Sequence, residues 1–141
     1  MKKFIKCLMV LVLSLCFYGC KNDFFDATIS GVCYTSQNPY GLHFEDLEQV
    51  SDIQNGVNYY LVADFNQPNM DAVKLILRYD SNGVRESQYT MTPEYEQQMT
   101  WWSNVHWDVG SYEYNKELTF YLEDGNGNRS NPYTLHVNLW P

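Results

Sequence analysis

The residues best suited to chemistry are a cysteine at the edge of an apolar run, three histidines and a loop of alternating oxygen side chains. Asp124-Gly-Asn-Gly-Asn128 sets side-chain oxygens at every second position, as the opening of an EF-hand calcium loop does. The pattern then stops. Arg129 stands where the sharp turn needs glycine, and Leu135 where a bidentate glutamate closes the loop. A hairpin turn accounts for the stretch better, because Gly and Asn tolerate the positive φ of tight turns. His106 and Asp108 could share a strand face, with His136 approaching from another strand, but they follow no metal-motif spacing. Glu94 and Glu96 pair two carboxylates as a glycosidase does, yet nothing around them indicates a cleft, and a solvated acidic strand explains them. No Gly-x-Ser-x-Gly elbow, His-Glu-x-x-His helix or phosphate loop occurs. The expectation is a protein that is not an enzyme, with no catalytic residue, metal or cofactor.

The cysteine at the apolar edge is different. Lys2, Lys3 and Lys6 precede an apolar run from Cys7 to Tyr18, and Gly19-Cys20 follows. The run falls well short of the roughly 20 residues that span a bilayer, so it reads as a secretory leader. Its end resembles the lipobox of bacterial lipoproteins, in which a small residue precedes the cysteine that becomes the new N-terminus. Gly19 matches that small residue, while Phe17 and Tyr18 are bulkier than the usual neighbours. The resemblance implies cleavage after residue 19 and lipidation of Cys20, through diacylglycerol on its sulfur and an acyl group on its amine. It also implies membrane attachment through acyl chains, in the bacterial cell envelope at the outer membrane. Residues 20–26 then form a tether of at most about 25 Å. Its Lys21 followed by acidic residues resembles the surface-export signals of some Gram-negative lipoproteins.

Charge narrows the partners. The chain has 9 basic and 17 acidic side chains, and the leader holds three of the lysines, leaving 6 against 17 in residues 20–141, a formal −11. Such a surface repels phosphate backbones, so no nucleic-acid partner is expected. Cys7 and Cys16 lie in the leader and Cys20 at its end, so Cys33 is the one thiol left, expected as a small buried hydrophobe.

From Ala27 to Pro141 the dominant period is two. Val57, Tyr59, Leu61, Ala63 and Phe65 form one face; so do Val73, Leu75, Leu77 and Tyr79, then Met99, Trp101 and Val105. Leu118, Phe120 and Leu122, and Leu135, Val137 and Leu139, complete the set. Side chains alternate faces along a strand, so each set marks a strand with one buried face. Ile29 and Cys33 mark a first strand, Val84–Met91 a polar edge strand, and Phe44–Ile53 a short helical turn. Turn residues separate them at 67–71, 80–83, 92–93 and 124–132. About seven strands without a long helix predict an all-β fold, a single antiparallel β-sandwich over residues 27–141.

The second half resembles immunoglobulin-like and fibronectin type III-like modules of bacterial surface proteins. Tyr112-Glu-Tyr114, Leu118–Asp124 and Gly127-Asn-Arg-Ser-Asn131 follow a pattern frequent in the last two strands of such modules. Tyr112, Tyr114 and Tyr121 all compete for the tyrosine corner of that fold, and the Cys…Trp…Cys core of antibody domains is missing.

Aromatic residues are the remaining functional signal, with four Trp, twelve Tyr and seven Phe. Alternation turns Tyr60, Trp102 and Tyr121 away from the core, while Trp107 and Trp140 fall near strand ends. Exposed rings stack on sugars or anchor protein interfaces, burying large area at low entropy cost. These five residues are the candidate ligand-binding set. The expectation is a non-catalytic envelope module that binds glycan or protein, the alternative being a structural or accessory lipoprotein within an envelope assembly. Acrylamide quenching of tryptophan fluorescence separates the two.

Overall fold

The computed structural model describes residues 25–69, 71–80, 83–92, 97–104 and 110–141. The leader, Cys20, Glu94, Glu96, Val105, His106, Trp107 and Asp108 lie outside the described residues.

Eight strands form where alternating apolar residues demand them: β1 (Thr28–Thr35), β2 (Asp52–Gln54), β3 (Asn58–Asn66), β4 (Ala72–Asp80), β5 (Val84–Thr90), β6 (Gln98–Asn104), β7 (Glu113–Asp124) and β8 (Tyr133–Trp140). They build a three-stranded sheet in the order β1-β3-β6 and a five-stranded sheet in the order β2-β8-β7-β4-β5. This is an all-β sandwich. One pairing departs from the antiparallel expectation: β2 runs parallel to β8. With three residues, β2 is too short to show a period, and its Ile53 is fully buried. The expected helical turn shrinks to a 3-10 turn over Phe44–Asp46. As expected, β5 is polar and lies at an edge.

The core lies between the sheets. Leu61, Leu75, Leu118, Phe120 and Leu122 are each fully buried, as the alternation requires. Full burial of such a side chain is worth about 1.5–3 kcal/mol in transfer terms. Val57, on the same face as Tyr59, is exposed because β3 begins only at Asn58. Trp101 reaches from β6 so that its Nε1–H donates to the Thr90 carbonyl at 2.8 Å, tying the edge strands of the two sheets together. Tyr34 is wholly buried, and its hydroxyl faces Tyr89 without reaching hydrogen-bond geometry; burial holds its ionisation well above the ordinary range.

A bulge between Ile29 and Gly31 breaks the alternation of β1. Ile29, Val32 and Tyr34 therefore face the main core, while Cys33 belongs to a second cluster with Val62 and Leu47, covered by Phe44 and Tyr60. Residues 36–51 fold across the outer face of the three-stranded sheet and make this second core. Val62 is thus fully buried, although its place in β3 puts it on the outward side.

Candidate functional site

The outer face of the three-stranded sheet carries the main aromatic group. Tyr60 in β3 and Trp102 in β6 stand directly opposite each other in the register. Their rings meet edge to face, with centroids 4.5 Å apart and planes at 73°. Aromatic pairs favour this arrangement because the positive ring edge meets the negative face. Tyr40 adds a third ring, 6.2 Å from Tyr60 at 87°. Tyr60 is half-buried against Phe44 and the second core, whereas Tyr40 and Trp102 are 69% and 58% exposed.

Local sequence explains how Tyr40, a loop residue, comes to stand there. Asn38 Oδ1 accepts the Tyr40 amide at 3.1 Å, an Asx turn. The Leu42 amide then donates to the Pro39 carbonyl at 3.1 Å, and Gly41 takes φ 83°, the left-handed value that this turn needs at its third residue. Gln98 Nε2 donates to the Leu42 carbonyl at 3.1 Å, which fixes the turn against β6. Between turn and strand lies an open groove of about 280 Å³, lined by Pro39, Tyr40, Gly41, Thr92, Gln98, Met99 and Thr100. Gln98, Thr100 and Trp102 alternate along β6 and so share its outer face.

The other candidates lie elsewhere. Trp140 pairs with Tyr112 at 4.5 Å, both about half exposed, at the end of the five-stranded sheet where the chain turns from β2 into β3. Tyr114 stands nearby, 76% exposed, beside a bulge where Asn115 adopts φ 54° and its amide is held by Asn138 Oδ1 at 2.9 Å. Tyr121 lies half-buried on the outer face of the five-stranded sheet, with the Arg129 guanidinium 5.6 Å from its ring centroid. Arg129 also grips Glu86 through both head nitrogens at 2.8 and 3.1 Å and Glu123 through Nε at 3.0 Å. These contacts hold Glu86 below its usual range. One face of Tyr121 is therefore occupied by a structural cation. The structure brings Tyr60 and Trp102 together, and sets Trp140 and Tyr121 apart from them.

At the Asp124 loop the carboxylate is spent on the chain itself. Oδ1 accepts the amides of Asn126 and Asn128 at 2.9 and 2.8 Å, and Oδ2 accepts Asn128 Nδ2 at 3.0 Å. Burial opposes the charge, but these donors prevail and lower the carboxyl's ionisation. Lone pairs engaged by amide hydrogens form a turn rather than a cation cage. Among the described residues, no group of three or more His, Cys, Asp or Glu could hold a metal ion. His136 is exposed on β8.

No family model matches the chain, and no curated protein or solved structure is detectably similar to it.

Tyr40 and the groove were not visible in the sequence. Period-two reading finds Tyr60 and Trp102 because they sit in strands, whereas Tyr40 sits in a connection brought in by a contact 56 residues away, from Gln98 to Leu42. The usable signal was turn chemistry: Asn38-Pro39-Tyr40-Gly41 marks a tight turn that presents its tyrosine.

Proposed function

We propose that the chain is a lipid-anchored, non-catalytic binding module of the bacterial outer membrane, held by acyl chains on Cys20 and binding its ligand through Tyr40, Tyr60 and Trp102. The observation that carries this reading is the outward cluster of three rings beside a groove. Rings left largely in water on a rigid sheet face are anchors in search of a partner, since a side chain needed only for the core would be covered. The cluster offers ring faces, hydroxyls and an amide, groups suited to holding a ligand. The strand order also supports an immunoglobulin-like or fibronectin type III-like module. Strands one, three and six face a sheet containing four, five, seven and eight, and the short second strand joins that sheet parallel to the last.

The test supplies purified chain to cells lacking the gene and measures what sediments with them. Native protein should be retained, and Trp102→Ala should be retained roughly tenfold less, the loss expected for an interface anchor. Equal retention of the two, with matching circular dichroism, would remove this cluster from the binding surface.

A further inference from the structure

Building on that reading, we infer that the groove beside Tyr40 is a saccharide-binding site and that its ligand is a neutral glycan. Its lining is the first argument. Thr92, Gln98 and Thr100 offer hydroxyls and an amide that both donate and accept, which is the pairing sugar hydroxyls need. Among the described residues, no charged side chain lines it. The nearest carboxylate in the register, Asp64 opposite Gln98, accepts the Ser30 hydroxyl at 3.0 Å. An anionic polymer would find no basic partner here and would approach a chain whose residues 20–141 carry a formal −11.

The second argument is layout. Gln98, Thr100 and Trp102 follow one another on the outer face of β6 at strand spacing, about 6.6–6.8 Å apart. A ligand lying along the strand would thus pass from hydrogen-bonding side chains to an aromatic face, with Tyr40 as the opposite wall. An apolar peptide anchor would need a closed hydrophobic pocket, and this groove is open and half polar. A second groove among the described residues, on the five-stranded sheet at about 260 Å³, has Arg78, Asp80 and Glu117 in its lining and so lacks the uncharged character.

Affinity electrophoresis tests this with purified full-length chain in detergent, run through native gels containing soluble glucan, mannan, galactomannan or xylan, and through polygalacturonate as the anionic control. At least one neutral polymer should retard the protein. Trp102→Ala should weaken that retardation roughly tenfold, Gln98→Ala should weaken it severalfold, and Trp140→Ala should leave it unchanged. Retardation by none of the neutral polymers, by polygalacturonate alone, or equally for Trp102→Ala would overturn the inference. Sedimentation with cells keeps the two readings apart. If retention on cells depends on Trp102 while no neutral polymer retards the native chain, the binding module stands and the neutral glycan falls. If retention is also absent, both fall.

Discussion

Cys33 is a thiol that the fold silences. It is 1% exposed beneath Leu47 and Phe44, and burial pushes its ionisation from 9.0 up to about 11. The thiolate is the reactive form, so native protein at pH 8 should resist maleimide at the Cys33 peptide, read by mass spectrometry, and react once denatured. Rapid native labelling at that peptide would contradict the packing. The same burial has a pH signature. Unfolded chain ionises this thiol first, so its contribution to stability is complete below about pH 9 and declines as pH climbs toward 11. Tyr34 and Tyr89, both raised mainly by burial, act in the same direction. Denaturant midpoints measured across that window should fall. The buried state of Cys33 was legible from its residue type alone, and the exposure of Trp102 from alternation. The cover over Cys33 was not, because it comes from residues 44–47, remote in sequence and with no strand period.

At the scale of elements, the connection over residues 36–51 depends on one missing side chain. A Cβ on Gly31 would lie 2.6 Å from Phe44 Cε1 and 2.7 Å from Cζ, far inside contact distance. Gly31→Ala must therefore displace the Phe44 ring, at about 1–3 kcal/mol as for other overpacked sites. The expected result is faster labelling of Cys33 with the main core intact, because Ile29 and Leu61 face the other side of the sheet. Unchanged labelling would mean that the ring adjusts without opening. Five of the eight strands, β3, β4, β6, β7 and β8, followed from apolar alternation, while β1 was marked by Ile29 and Cys33 and β5 by its polarity. The bulge in β1 and the parallel β2 did not, because a single inserted residue and a three-residue strand leave no periodic trace.

For the whole molecule, the decisive test concerns Cys20. Cys20→Ala should shift the protein from the membrane to the soluble fraction, and the native N-terminal peptide should carry acyl mass; a soluble native chain starting at another residue would end the lipoprotein reading. In a chain held at Cys20, as proposed, strand directions would set the orientation. Thr28 pairs with Asn66 at one end of the sandwich, where Asn131 Oδ1 receives the Ile29 amide, and Asn58 pairs with Asn104 at the other. Tyr60 and Trp102 lie two residues in from that far end, and Trp140 closes it. A cell drifting in flow while its ligand stays fixed would thus pull on opposite ends of the sheet. β1 is antiparallel to β3 over seven paired positions, with hydrogen bonds that run across the strands. Tension entering at Thr28 would load those bonds together in shear instead of peeling them one by one, so under the proposed anchoring β1 would act as a mechanical clamp.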